Sequence, residues 1–167
     1  FEGAMDGAIG FDMTGSGPGA DLAATGQVRD SQANPVLSGN AQMRISNLAT
    51  YADLIGRPIR GALRAEASGD LALNLTEFDV VAKGSGENLA FDSPLLDRIV
   101  AGHATFRIDA QRRDGRTTNR DAALDTPLLT ASAAGQSRGD GQALTVSAVL
   151  RDLSVVAPQI TGAATLD

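Results

Sequence analysis

One histidine, His103, and four carboxylates downstream of it, Asp109, Asp114, Asp121 and Asp125, are the residues whose types could do proton-transfer or metal chemistry in this chain. A histidine base needs a nucleophile within reach and a carboxylate to orient it. No such set is legible around His103, which follows Gly102 in an alternating stretch and reads as an outward-facing strand residue. The carboxylates suggest calcium, but their spacing fits neither an EF-hand loop nor a glycine-rich nonapeptide repeat. They read as a solvated face. No catalytic residue, metal ligand or cofactor is assigned, and an enzyme is not expected.

The remaining short motifs dissolve in the same way. GSGPG at Gly15 to Gly19 lacks both the P-loop lysine and the dinucleotide-binding pattern with its helix, and reads as a loop. Arg138-Gly139-Asp140 spells an adhesive tripeptide, yet a glycine-rich turn between Ala131–Ala134 and Leu144–Leu150 is what a hairpin there demands. Arg57 and Arg60, beside Pro58, could hold a phospholipid headgroup or a partner protein, although solvated arginines after a helix are the plainer reading. The chain carries no cysteine, which removes disulfides, thiolate nucleophiles and cysteine metal sites together. Its net charge of -6 comes from singly scattered charges, so no basic footprint for nucleic acid is present.

Aromatic residues make up 4% of the chain and tryptophan is absent, so whatever apolar surface exists is aliphatic and thin. That surface is laid out with period two, the mark of strands with one wet and one apolar side. Leu37, Gly39, Ala41, Met43 and Ile45 share a side. So do Leu71, Leu73 and Leu75, then Phe78, Val80 and Ala82, with a bulge or short turn around Thr76 and Glu77. The same alternation marks Ala104, Phe106, Ile108 and Ala110, then Leu144, Val146, Ala148 and Leu150. It returns at Ile160, Gly162, Ala164 and Leu166, and at Ile9, Phe11 and Met13 near the start. Turn clusters separate these runs (TGSGPGA, SGD at 68–70, KGSGEN, RRDG, SRGDG), so consecutive strands should pair antiparallel as a meander.

Two segments break the alternation, and they repeat each other. NLATYADLIGRPIRGALR begins at Asn47 and NLAFDSPLLDRIVAGHATFR at Asn88, each with a glycine fourteen residues after its asparagine, Gly61 and Gly102. A shorter third version runs from Asp152 to Leu166. In the first two, Leu48, Tyr51, Leu54 and Ile55, and Leu95, Leu96, Ile99 and Val100, fall at helical spacing. Each predicts an amphipathic helix of about two turns, with its apolar residues buried, stopped by Gly56 and Pro58 or by Gly102. Pro94 suits the first turn of the second helix. The expected fold is mainly β: a curled antiparallel sheet, either an open groove or a partly open sandwich, with two short amphipathic helices. Residues 1–167 form one domain. With no initiator methionine, signal peptide or long apolar run, the chain reads as a piece of a longer protein.

The phrase from Leu48 to Gly61, the phrase from Ser93 to Gly102 and the ending from Leu153 to Gly162 resemble the TamB family. Its members are the inner-membrane-anchored subunits of the translocation and assembly module of Gram-negative bacteria. The resemblance spans roughly residues 36 to 167. It implies membership of the AsmA-like and bridge-like lipid-transfer proteins, whose very long curled sheet carries a hydrophobic trough across the periplasm. It further implies a TamA-like Omp85-family partner in the outer membrane, reached through the parent chain. The implied work is phospholipid transport between the two membranes, together with assembly of outer-membrane proteins and autotransporters. The family supplies no catalytic residues, and any membrane contact would run through the parent chain.

Acyl chains ask for dispersion contacts and exclusion of water, about 0.8 kcal/mol per buried methylene, so their lining must be aliphatic and continuous. Leu71, Leu73, Leu75, Phe78, Val80, Phe106, Ile108, Leu144, Val146 and Leu150 meet that specification. The rival expectation is a closed β-rich structural or adhesive module of a repetitive surface protein, in which these residues form a sealed core. An exposed apolar strip larger than monomeric proteins ordinarily show separates the two.

Overall fold

The computed structural model describes residues 8–29, 34–139, 141–152, 154 and 162–166. It contains one ten-stranded sheet in which the strands follow in chain order. They are β1 (Ala8–Gly17), β2 (Ala20–Arg29), β3 (Val36–Ile45), β4 (Arg60–Ala72) and β5 (Phe78–Ala90), then β6 (His103–Arg113), β7 (Arg116–Asp125), β8 (Leu129–Arg138), β9 (Gly141–Leu150) and β10 (Ala164–Leu166). Every neighbouring pair is antiparallel. β1 and β10 do not pair with each other, so the sheet is not closed into a barrel.

The meander follows from the turns. Pro18 and Gly19 alone separate β1 from β2, and Gly19 takes φ +70. Asp114 and Gly115 connect β6 to β7 with both φ positive, which matches the right-handed twist of a two-residue hairpin. The GSGPG motif therefore contributes only its last two residues to a turn, since Gly15 to Gly17 complete β1. Likewise Ser68 to Asp70 lie inside β4, and Lys83 to Asn88 inside β5. Arg138 ends β8 and Gly139 turns at φ +55, as a hairpin reading of the tripeptide requires.

Two sequence expectations are corrected here. β4 ends at Ala72, so Leu73 and Leu75 leave the strand ladder and stand exposed in the β4–β5 turn. The cause is Asn74, whose Oδ1 accepts from Thr76 N (3.0 Å) and Thr76 Oγ1 (2.7 Å) while Leu75 N donates to Ala72 O. That side chain organises a turn in which Leu75 is left at φ +59. The expected break near Thr76 and Glu77 is present but begins three residues earlier.

The helices are also less buried than their periodicity suggests. A 3-10 turn, Leu48–Tyr51, is capped by Asn47 Oδ1 on Ala49 N and runs into α1 (Ala52–Ile55), which ends at Gly56 with φ +70. α2 (Pro94–Ile99) has proline in its first turn. Leu48 and Val100 are buried, whereas Leu54 is 85% exposed and Ile55, Leu95 and Leu96 are also exposed. Tyr51 and Ile99 are half-buried, so each helical segment covers part of its apolar set and leaves the rest exposed. The two copies of the repeated phrase differ as well: Asn47 starts its helix, but Asn88 to Ala90 complete β5 before α2 begins. Most of the third copy, Leu153 and residues 155–161, lies outside the described residues.

Among the described residues the buried apolar set is small: Leu48, Ala72, Val100 and Ala104. The chain exposes 11132 Å², against about 7,800 Å² for a compact monomer of 17.1 kDa. The sheet therefore carries far more open surface than a sealed core leaves.

Gly61 holds the one irregularity in the β4–β5 ladder, at φ +108, and a Cβ there would stand 2.7 Å from the carbonyl oxygens of both Glu87 and Asn88. Gly61→Ala is expected to lower stability by about 1–3 kcal/mol in urea unfolding followed by circular dichroism. An unchanged midpoint would contradict that assignment.

Candidate functional site

Because the strands pair without offset over most of their length, residues directly opposite one another share a side of the sheet. One row crosses all ten strands: Gly15, Leu22, Met43, Ala65, Gly84, Phe106, Leu124, Ala131, Ala148 and Leu166. It contains no polar side chain. The next row runs from Met13 through Ala24, Ala41, Ala67, Ala82, Ile108, Ala122 and Ala133 to Val146 and is equally apolar. Two further rows are apolar from β1 to β5: one is interrupted only at Asn119 and ends on Gly135 and Leu144, and the other turns polar from β6 onward, through Arg112, Thr117, Ser137 and Gln142.

Of the ten residues singled out from the sequence, Leu71, Phe78, Val80, Phe106, Ile108, Leu144, Val146 and Leu150 lie on this face. Leu73 and Leu75 do not belong to it, being in the turn. The face is half-buried along β3 and β8 and exposed at Ile9, Met13, Ile108 and Leu144, with Ile9 at 70% and Leu144 at 64%. The opposite side is the more exposed one along β2, β3 and β8.

A cavity of about 880 Å³ lies across β1 to β6. On β1 to β5 its lining is centred on the first row, at Gly15, Leu22, Met43, Ala65 and Gly84, and on β6 it reaches Phe106. Phe106 is the single residue from the sequence-derived lining that borders this cavity. Leu22 and Met43 were within reach of the period-two pattern. Gly15, Ala65 and Gly84 were not, because small residues in a strand look like turn signals until register places them beside large ones.

The small residues decide how the few rings lie. A Cβ at Gly84 would stand 2.6 Å from Cζ of Phe106, and one at Gly26 2.9 Å from Cζ of Phe11. Each ring therefore lies over the glycine of the neighbouring strand rather than standing up toward a second layer.

The other face is a lattice of charges. Arg120 reaches Asp79 on β5 and Asp109 on β6, and Arg107 pairs with Asp121 at 3.2 Å. Lys83 pairs with Glu66 at 3.2 Å, and Arg151 with Asp125 at 2.8 Å. Arg120 can do this because β7 bulges: Asp121 opposes Asp109 and Asn119 opposes Ala110, which leaves Arg120 extra. Without that bulge, the alternation Leu124, Ala122, Arg120 would put a guanidinium on the apolar side. The carboxylates read from the sequence as a solvated face thus include three, Asp109, Asp121 and Asp125, that tie strands together. His103 is exposed at the start of β6 and faces Glu87 across the ladder, Nδ1 to Oε1.

No family model, no curated protein and no solved structure matches the chain.

Hydrogen bonding to Arg120 holds the Asp79 carboxyl below the usual carboxylate range, against a smaller opposing effect of burial, and Thr130 and then Arg151 do the same for Asp125. A carboxylate with a lowered folded pKa contributes stability in full above its unfolded value and loses it as pH falls through the folded one. The urea midpoint is expected to be flat from neutral pH to about pH 5 and to decline below about pH 4. Asp79→Asn should flatten part of that acid decline, and an unchanged acid profile would contradict the role given to this pair.

Proposed function

We propose that this chain is a non-enzymatic section of a TamB-like, AsmA-like periplasmic protein. Its apolar face forms the wall of an open groove for phospholipid acyl chains moving between the inner and outer membranes. The observation that carries the reading is the unbroken apolar row over ten strands, with so little of it buried. Nine intervals of roughly 4.8 Å make about 43 Å of such wall.

The lining chemistry supports this reading. The row along the centre of the cavity offers aliphatic carbon, the Phe106 ring and backbone, which suits a ligand recognised by dispersion and water exclusion. The charged residues that also line the cavity, Asp21, Arg44, Arg64, Glu66 and Lys83, occupy the alternate positions of their strands. The charged lattice on the far side keeps that surface wet. A closed structural or adhesive module would bury residues that stand open here, among them Ile9, Met13, Ile108 and Leu144. The outer edges of β1 and β10 have no strand partner among the described residues, so the same wall extends naturally into further strands of a parent chain. Among the described residues no helix is long and apolar enough to cross a membrane. In this reading the parent chain supplies the inner-membrane anchor and the contact with a TamA-like Omp85-family protein, through which the assembly of outer-membrane proteins is served.

The test is phospholipid content after purification, by extraction and mass spectrometry. Wild type and the polar-face variant Ser132→Asp are expected to carry phospholipid. Met43→Asp and Phe106→Asp, still folded by circular dichroism, are expected to carry several-fold less. A lipid-free wild type that melts cooperatively, or equal lipid in all four proteins, would overturn the groove.

A further inference from the structure

Three arginines stand side by side at the end of the sheet away from the helices. Arg113 on β6 is paired in register with Arg116 on β7, which is paired in turn with Arg138 on β8. All three lie on the polar face, across two strand intervals or about 10 Å. Like charges directly opposite one another destabilise a sheet, and here the repulsion occurs twice in succession.

Elsewhere on this face Arg29, Arg107, Arg120 and Arg151 each reach a carboxylate. Among the described residues none of these three makes an ion pair or a side-chain hydrogen bond. The carboxylate on which Arg113's charge acts, Asp79, is already held by Arg120. Arg44 and Arg64 also face each other, but Asp21 stands opposite Arg44 and Glu66 lies two residues from Arg64 on the same side. In the run of three, the one carboxylate at hand among the described residues is Asp114, at the hairpin tip. Asp140 lies outside them.

Arg113, Arg116 and Arg138 border a cavity of about 380 Å³ together with Gln111, Asp114 and Thr118. In a chain of net charge -6, such a local excess of positive charge attracts anions that the rest of the surface repels. Guanidinium forks match phosphate oxygens two at a time, and the Thr118 hydroxyl adds a donor.

We propose that Arg113, Arg116 and Arg138 form a binding site for a phosphate-bearing anion on the polar face, separate from the apolar surface and independent of what occupies it. The bound anion offsets the repulsion that the register imposes. The shared chemistry is a phosphate group, carried either by a lipid headgroup or by a free phosphate compound.

The probe for the free form is pyrophosphate, titrated into isotopically labelled protein and followed by amide chemical shifts. The probe for the lipid form is co-sedimentation with phosphatidylglycerol vesicles against phosphatidylcholine vesicles. Pyrophosphate is expected to shift amides in 111–118 and 136–138, with affinity roughly tenfold weaker in Arg116→Gln/Arg138→Gln and unchanged in Arg57→Gln/Arg60→Gln at the opposite end. Phosphatidylglycerol-dependent sedimentation with the same dependence on Arg116 and Arg138 identifies a headgroup. Its absence beside a pyrophosphate response identifies free phosphate, and both support the site. The double variant should also melt higher than wild type without ligand, since a repulsion has been removed, so loss of binding cannot be ascribed to unfolding. Equal responses in the two double variants, or no response to either probe, would overturn the proposal.

Discussion

Antiparallel pairing in nearly constant register is the constraint on which the rest of this structure depends. Side chains alternate across a strand with period two, so one slipped residue exchanges the faces of everything beyond it. Along the two rows at the centre of the face apolar residues meet apolar ones on every strand, and the two irregularities that occur preserve that sorting. The bulge at Gly61 is absorbed by a residue without a side chain. The bulge at Arg120 resets β7 so that its arginine joins Asp79 and Asp109 instead of entering the aliphatic side. A single face accumulates from strand to strand because nothing in the meander turns it over.

That face differs from the core of a sandwich in its composition. Its rows mix a few Leu, Met, Ile or Phe with many Gly and Ala, and the rings of Phe11 and Phe106 fold down over neighbouring glycines, so the surface stays low. A second layer would need bulk to interdigitate with, and an aromatic content of 4% does not provide it. The short helices add little cover, since Leu54, Ile55, Leu95 and Leu96 stay exposed. Cohesion of the sheet then rests on its backbone ladders and on the cross-strand ion pairs of the wet face. Those pairs are exposed and individually weak, so their contribution comes from being networked.

The alternation of Leu37 to Ile45, of Ala104 to Ala110 and of Leu144 to Leu150 made the strands, their antiparallel order and eight of the proposed lining residues legible in the sequence. What stayed hidden involved residues whose meaning depends on a neighbour. Ser68 to Asp70 and Lys83 to Asn88 look like turns because glycine and polar residues cluster there, yet Gly69, Gly84 and Gly86 are strand residues whose missing side chains leave room on the apolar face. Leu73 and Leu75 continue the local period but lose their strand to a turn closed by Asn74. Leu54 and Ile55 have helical spacing, but only packing tells that the sheet end accepts Leu48 and leaves them outside. The row of arginines was invisible for the same reason, since Arg113, Arg116 and Arg138 become neighbours only through register.

The central claim is that one side of this sheet is open and receives lipid while the other faces water, and the absence of cysteine and tryptophan makes it simple to probe. A photoreactive residue placed in turn at Ala65, Glu66, Ala67 and Ser68 on β4, irradiated in the presence of phospholipid, reads the two faces of a single strand. Lipid adducts at Ala65 and Ala67 with none at Glu66 and Ser68 are the predicted result. Adducts at all four positions, or at none, would contradict it.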